Sequence, residues 1–199
     1  VLFGHSMGSF LTMTYASRFG NDMDGFILSG VAGSNPAIPI AKLIAKHEIK
    51  KNGATTPSNL LNSLSFGSYN KAFRPNRTDF DWLSTNEDSV DAYVKDDECG
   101  YVFTAGGFRD LFNGLSEISS ARWAEKVAKK PIMIVSGDKD PVGANGKGPK
   151  QVASWLMETG HDVTLKLYEG MRHEVHNEIG RETVYMDILS FMTMYFRKD

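Results

Sequence analysis

The stretch Gly4-His5-Ser6-Met7-Gly8 near the start of the chain has the pattern G-x-S-x-G. In this pattern a strand turns sharply into a helix, and the serine at the turn is held in a strained backbone conformation. Glycines on either side let neighbouring backbone pass without meeting a Cβ atom. The flanks fit, because the apolar run 1–3 predicts a buried strand and residues 7–18 predict a helix that Gly20 stops. The sequence therefore predicts a strand–serine–helix turn with Ser6 at its apex.

Further strand and helix patterns place this turn in an α/β sheet. Apolar runs at 25–29 and 131–136 predict strands that are buried on both faces. Residues 163–168 alternate in polarity, as in a strand near the edge of a sheet. Apolar spacing predicts helices at 150–159 and 182–196. Strand and helix thus alternate at both ends of the chain, as in a mostly parallel sheet flanked by helices.

The middle of the chain has a different composition. Residues 33–120 are rich in Asn, Ser, Thr and Gly, with helical patterns at 40–49 and 88–94 and no second strand pattern. We therefore divide the chain into core residues 1–32, a mainly helical cap or lid insertion at 33–120, and core residues 121–199. Some aromatic residues of the insertion should line an apolar site over Ser6. The candidates are Phe66, Tyr69, Phe73, Phe80, Trp82, Tyr93, Tyr101, Phe103, Phe108 and Phe112.

Two loops offer the partners that a nucleophilic serine needs. Such a serine requires a base that takes its proton and a carboxylate that orients the base. Residues 137–142, Gly-Asp-Lys-Asp-Pro-Val, follow one predicted strand, and residues 169–174, Glu-Gly-Met-Arg-His-Glu, follow another. The loops after the carboxyl ends of parallel strands meet at one edge of the sheet. The residues therefore predict a serine hydrolase with Asp138 or Asp140 as the acid and His173 or His176 as the base.

Asp138, His176 and His5 could each have a structural role instead of a catalytic one. Asp138 could brace its turn by accepting backbone N–H bonds. His176 should lie at the start of the last helical region as a surface or capping histidine, and His5 should help to shape the turn around Ser6. The zinc motif H-E-x-x-H is not met, because His173 and His176 are one residue too close in sequence. We expect no metal site and no cofactor.

The Ser6, Asp140 and His173 segments resemble the α/β-hydrolase branch of bacterial lysophospholipases and monoacylglycerol lipases, which is grouped with serine aminopeptidase (S33-type) hydrolases. The resemblance is strong at both ends of the chain and covers the middle only as a family-type cap. It implies an α/β-hydrolase fold with Ser6 as nucleophile, Asp140 as acid and His173 as base. One oxyanion-hole donor should be the backbone N–H of Met7, at the positive end of a helix.

The same family has an N-terminal half, with further strands and a loop that supplies the second oxyanion donor. This sequence lacks that half, so we expect it to be the C-terminal portion of a longer protein.

The resemblance implies hydrolysis of a carboxylic ester of a small lipid, monoacylglycerol or lysophospholipid, through an acyl-enzyme. The residues alone predict an ester or amide with an apolar acyl group. An aminopeptidase-like amide hydrolase is one alternative, and a non-catalytic binding module is another. An aminopeptidase would need an anionic group for the substrate's ammonium. Candidates for that group are Glu87, Asp88, Asp91, Asp96, Asp97 and Glu98.

Charge and composition limit the classes of partner that we expect. The net charge of -2 gives no electrostatic basis for binding nucleic acid. The single cysteine, Cys99, excludes an internal disulfide and is compatible with a reducing compartment such as the cytoplasm. No apolar run has the length of a transmembrane helix. We expect a small lipid ester as partner, with transient membrane-surface contact through the cap, and the sequence does not specify an oligomeric state.

Overall fold

A parallel four-stranded sheet organises the computed structural model, which describes residues 1–197. Its strands pair in chain order, and β4 forms one edge. The carboxyl ends of all four strands therefore lie at the same edge of the sheet. The strands are β1 (Leu2–His5), β2 (Phe26–Ser29), β3 (Ile132–Gly137) and β4 (Val163–Tyr168).

The described residues contain eight α-helices. Three short 3₁₀ turns accompany them, at Gly20–Asp22, Tyr69–Phe73 and Val175–Asn177. Residues 30–131, here called the β2–β3 connection, hold five of the α-helices and no strand. The α-helices are α1 (Met7–Phe19), α2 (Ile38–Asn52), α3 (Asn59–Phe66), α4 (Glu87–Lys95), α5 (Ala105–Ile118), α6 (Ala121–Ala124), α7 (Lys147–Glu158) and α8 (Arg181–Phe196).

The predicted α/β architecture is confirmed, and each predicted strand lies within two residues of its observed bounds. Helices α1, α2, α4, α7 and α8 also correspond to predicted helices. Helices α3 and α5 had no clear pattern, and they add helical structure to the β2–β3 connection. The cap boundaries at residues 33 and 120 stay a prediction.

Gly20 acts differently from the expected helix stop. Helix α1 does end at Phe19, but Gly20 has right-handed helical angles (φ -63°, ψ -19°) and begins a 3₁₀ turn. A Cβ atom on Gly20 would lie 2.7 Å from the Cβ of Ala128. The glycine is therefore required by close packing against Ala128 and not by a left-handed turn.

The two faces of the sheet bury alternating residues of the same strands. Phe26 and Leu28 of β2 pack on the face covered by α1 and α7, whereas Ile27 packs on the opposite face with α8. In β3, Ile134 belongs to the first face and Met133 to the second. This double burial explains why β2 and β3 read as continuous apolar runs.

The β2–β3 connection has a small core of its own. Ala45 of α2, Leu61 of α3, and Phe108 and Phe112 of α5 pack together there. Phe108 is fully buried. The helices of this segment are therefore held by mutual packing as well as by contact with the sheet.

Replacing Ile134 with alanine should lower the free energy of unfolding by about 2–5 kcal/mol, because the side chain is fully buried in a central strand. Chemical denaturation monitored by circular dichroism measures the change. Met194→Ala is the control, since Met194 is 74% exposed. Equal losses for the two variants would contradict the assigned core.

Candidate active site

Ser6 lies at the turn between β1 and α1 in a strained backbone conformation. Its φ of 52° and ψ of -122° are unusual for a residue with a side chain. The turn is held because the Ser6 backbone N–H donates to the Ser29 carbonyl oxygen (2.9 Å). The Ser6 carbonyl in turn accepts from the Ser9 backbone N–H (2.8 Å). The sequence motif has thus placed a serine at the carboxyl end of β1, at the wall of a large cavity.

The two glycines of the motif are not equivalent. A Cβ atom on Gly4 would lie 2.3 Å from both the Gly8 carbonyl oxygen and the Thr12 Oγ1. At Gly8, by contrast, no atom of the described residues beyond its chain neighbours and the backbone of its own helix lies within 4 Å of a Cβ position. The close approach of β1 to α1 therefore requires the first glycine.

Met7 is the first residue of α1 and lies in the wall of the same cavity. The backbone N–H groups of a first helical turn have no partner within their helix, and they carry the positive end of its dipole. The Met7 N–H is therefore suited to stabilising an anion, and its role as an oxyanion donor stays a prediction.

The structure brings Asp140 and His173 together in a buried hydrogen bond. His173 Nδ1 lies 3.0 Å from Asp140 Oδ2, and Asp140 is fully buried. The Val142 backbone N–H donates to Asp140 Oδ1 (2.8 Å), and the Ser136 hydroxyl donates to Oδ2 (3.4 Å). Since a carboxylate only accepts hydrogen bonds, His173 Nδ1 carries the proton. Its Nε2 is buried and has no partner among the described residues, and in the neutral form of the ring this nitrogen has a free lone pair.

Asp138 accepts a backbone N–H hydrogen bond and stabilises its loop, as the sequence suggests for it. Its Oδ1 accepts from the backbone N–H of Gly170 (2.8 Å), and its Oδ2 lies 3.5 Å from Lys139 Nζ. Asp138 thus ties the loop after β3 to the loop after β4. Gly137 brings the same two loops close together, because a Cβ there would lie 2.0 Å from the Met171 carbonyl oxygen.

Two further histidines pack around His173. The His5 ring lies 4.7 Å from the His173 ring and 4.5 Å from the His176 ring, between centroids. His5 Nδ1 is 3.0 Å from the Ser29 hydroxyl oxygen. The expectation of a surface or capping histidine at His176 is wrong, because its ring is packed on His5 and its Nδ1 is buried.

Burial of the ring keeps His5 neutral, and the neighbouring histidines add to this effect. Burial, and then the neighbouring His173 and His176, lower the pKa of His5 to about 2. Burial also lowers the pKa of His176, against the opposing effect of the Glu174 carboxylate. Since neither ring readily accepts a proton, His5 is unsuited to act as a base at neutral pH.

A cavity of about 1320 Å³ lies over Ser6, between the sheet and the β2–β3 connection. Apolar residues of α2, α3 and α5 form much of its wall, and of the aromatic residues named above only Phe73 and Phe108 are not part of it. Tyr69 is one of the wall residues. Burial, and then the charge of Asp140, raise the pKa of Tyr69 to about 12, so its phenol stays protonated. The cavity suits an apolar group attached to a reacting centre at Ser6.

Acidic groups are sparse in the cavity wall. Of the six acidic candidates for an ammonium site, Glu98 alone is part of the wall, where Asp79 also lies. Glu87 and Asp91 are instead paired with Arg77.

Sequence reasoning missed several residues that hold His173. Trp82 was singled out only as one of many aromatics, but its ring lies 5.2 Å from the His173 ring. Arg172 and Glu178 had no recognisable pattern, and both hydrogen-bond with the β2–β3 connection.

Within residues 1–197, no group of three or more His, Cys, Asp or Glu side chains is arranged to hold a metal ion. Nor does any helix of that range have the length and apolarity needed to cross a membrane.

Comparison with known proteins places this arrangement in a family. A family model described as serine aminopeptidase, S33, matches residues 1–180. The chain belongs to the serine aminopeptidase S33 family. The α/β-hydrolase fold predicted for this S33 protein is also confirmed, since it superimposes on a carboxyl esterase from Bacillus coagulans with a TM-score of 0.91. That comparison has 31% identity and covers 97% of this chain and 64% of the esterase.

Two curated relatives of this S33 protein are lipases by name. The monoacylglycerol lipase of Mycolicibacterium smegmatis is 28% identical over 98% of this chain and 62% of its own length. The monoglyceride lipase of Rattus norvegicus is 27% identical over 92% of this chain and 54% of its own length. The chain thus spans less than two thirds of the length of either relative.

The low pKa of His5 predicts that the protein loses stability in acid. The unfolded chain takes up a proton on His5 near its usual pKa of 6.5, whereas the folded chain does so only near 2. The free energy of unfolding should therefore fall as the pH decreases below about 6.5, with a limiting slope of about 1.4 kcal/mol per pH unit for one proton. Denaturation of the wild type and of His5→Gln between pH 7.5 and 4.5 measures this slope, which should be smaller in the variant. His47→Gln, at an exposed position, should keep the wild-type slope. A His5→Gln slope equal to the wild type would contradict the prediction.

Proposed function

We propose that this chain carries the catalytic residues of a serine hydrolase that cleaves carboxylic esters of small lipids. The observation that carries the proposal is the buried Asp140–His173 hydrogen bond, on a sheet edge that also presents the strained Ser6 to an apolar cavity. The names of the two curated relatives and of the Bacillus esterase support an ester as the substrate.

In the proposed reaction, His173, Asp140 and the Met7 N–H each have a role that follows from their position in the site. His173 Nε2 takes the proton of the Ser6 hydroxyl as the serine oxygen attacks the ester carbonyl. Asp140 holds the ring in the required tautomer and stabilises the imidazolium. The Met7 N–H donates to the oxyanion. His173 then gives the proton to the leaving alcohol, and a water molecule activated by the same nitrogen hydrolyses the acyl-enzyme.

Ser6 and His173 are not hydrogen-bonded in this structure, because His173 Nε2 has no partner among the described residues. Catalytic hydrogen bonds commonly tighten only when substrate binds. Ser6, Asp140 and His173 follow β1, β3 and β4, whose carboxyl ends lie at one edge of the same sheet. The ring of His5, the residue before Ser6, also lies 4.7 Å from the His173 ring, which supports their action on one substrate.

Monoacylglycerol is the substrate we favour, and lysophospholipid is the second of the same class. The cavity of about 1320 Å³ exceeds the roughly 300–1,000 Å³ of typical small-ligand sites, and it has room for a long acyl chain. Its wall is mostly apolar, as an acyl chain requires.

We further propose that residues 33–120 form the cap of this enzyme and contact lipid surfaces transiently. Four apolar side chains on α2 and α3 are half or more exposed, and Ile40 and Leu64 among them also belong to the cavity wall. An apolar rim at a cavity mouth favours extraction of a lipid from a membrane or micelle. The four residues are Ile40, Leu43, Leu60 and Leu64.

An aminopeptidase-like activity is the second candidate, and the description of the S33 family favours it. The same triad could cleave an amide. The substrate's ammonium would then bind Glu98 or Asp79 in the cavity wall.

Ser6→Ala should reduce kcat/KM for monoacylglycerol by about 10⁴-fold or more in the full-length protein, since the nucleophile is lost. Release of fatty acid measures the activity, and labelling by a fluorophosphonate should disappear in parallel. Ser9→Ala, on the first turn of the same helix, tests whether loss of any buried serine there has this effect. Turnover of an aminoacyl amide but not of the ester would move the assignment to the aminopeptidase.

Asp140→Asn and Asp138→Asn form a matched pair that tests which aspartate orients the base. Asp140→Asn should lower kcat by about 10⁴-fold, because an amide facing His173 Nδ1 selects the wrong tautomer. Asp138→Asn should keep kcat near the wild type, because its partners are the Gly170 N–H and Lys139. Steady-state kinetics decides between them, and a larger loss for Asp138→Asn would reject Asp140 as the acid.

A further inference from the structure

Residues 172–178, here called the base loop, are attached to residues 81–89 of the β2–β3 connection at many points. The Glu174 backbone N–H donates to the Leu83 carbonyl oxygen (2.8 Å). The Asn177 carbonyl accepts from the side chains of Asn86 (3.1 Å) and Ser89 (3.2 Å). The loop that carries His173 is therefore held by the connection as well as by β4.

Glu178 makes the most heavily buried of these attachments. The residue is 1% exposed, yet its carboxylate has hydrogen-bond donors on both oxygens. Oε1 accepts from the Arg172 backbone N–H (2.7 Å), and Oε2 accepts from the Thr85 backbone N–H (2.9 Å) and the Thr85 hydroxyl. Hydrogen bonds to both oxygens offset the desolvation of a buried carboxylate.

No basic side chain among the described residues forms an ion pair with Glu178. Arg172, whose backbone N–H binds Glu178, directs its guanidinium to the carbonyl oxygens of Asp81 and Ser84 and lies over the Phe73 ring. Glu178 and the Arg172 side chain thus fix the same two segments through separate contacts. The Glu178 carboxylate therefore holds the two segments together through hydrogen bonds from three neutral donors, and not through an ion pair.

Of the two residues that Glu178 joins, one is next to the base in sequence and the other is close to an aromatic residue that packs on the base. Arg172 precedes His173, and Thr85 lies three residues after Trp82. The His173 ring is packed between the Trp82 ring (5.2 Å) on the connection side and the His5 ring (4.7 Å) on the sheet side. A shift of the Arg172–Thr85 attachment would therefore change the angle at which His173 meets Asp140.

We propose that Glu178 is a positioning residue, which joins the β2–β3 connection to the base loop and so fixes the orientation of the His173 ring. This inference rests on the proposed function of His173 as the base. Both carboxylate oxygens are needed as acceptors, so a glutamine of the same size would direct an NH₂ group at one of the donors.

Glu178→Gln in the full-length protein tests the proposal, with Glu182→Gln as the control at an exposed position four residues later. The substrate is a short, water-soluble acetate ester, so that binding in the cavity contributes little. Glu178→Gln should lower kcat by about 10²-fold with KM nearly unchanged, as expected for a misplaced base. Glu182→Gln should match the wild type. Equal kcat values for the two variants would overturn the proposal.

A second readout does not depend on catalysis. The Nδ1 proton of His173 in its bond to Asp140 should give a low-field proton NMR signal, assigned by its loss in Asp140→Asn. In Glu178→Gln this signal should shift or broaden. An unchanged signal beside a reduced kcat would overturn the proposal, because the base would then be correctly placed. If the wild type hydrolyses no ester, the proposed function fails, and the signal still tests the positioning role.

Thr85→Val provides the test if Glu178→Gln does not fold. It removes only the hydroxyl donor to Glu178 and keeps both backbone donors. We expect a smaller loss of kcat in the same direction, with the NMR signal shifted. Wild-type values for both readouts would count against the attachment as a determinant of His173 geometry.

Discussion

The buried hydrogen bond between Asp140 and His173 is the contact on which the arrangement of the site depends. A carboxylate without solvent exposure must receive hydrogen bonds from its surroundings, and Asp140 receives them from Val142, Ser136 and His173. Those donors come from the loop after β3, from β3 itself and from the loop after β4. The bond therefore has a structural role, since it joins two strand ends.

The candidate residues of the site could be named from the sequence because each belongs to a local pattern, and their catalytic roles stay a prediction. A glycine–serine turn after an apolar strand, an aspartate after a second strand and a histidine after a third each have short sequence signals. The order of the strands then brings the three loops to one edge. The choice between Asp138 and Asp140 could not be made from spacing alone. The structure separates them, since Asp140 Oδ2 lies 3.0 Å from His173 Nδ1 whereas Asp138 accepts from the Gly170 backbone N–H.

The surroundings of His173 could not be predicted, because they depend on contacts between residues far apart in sequence. His176 was expected at the surface, but its neighbour in space is His5, which lies 171 positions earlier. Glu178 meets Thr85 across 93 positions. Helix α5 was missed for a local reason, because Gly106 and Gly107 lie in its first turn and lower its helical propensity. Packing of Phe108 and Phe112 in the connection's own core compensates for them.

Because β2 pairs with β3, the β2–β3 connection is one long loop that leaves the sheet after β2 and returns to it at β3. The entropy of closing such a loop grows only with the logarithm of its length, so doubling it costs about 0.6 kcal/mol more. The connection also has its own hydrophobic core. Insertions and deletions on its outer side therefore alter the sheet very little. The region that forms the cavity wall can therefore tolerate changes that would disturb the three loops beneath it, and the same sheet edge can be combined with cavities of different size.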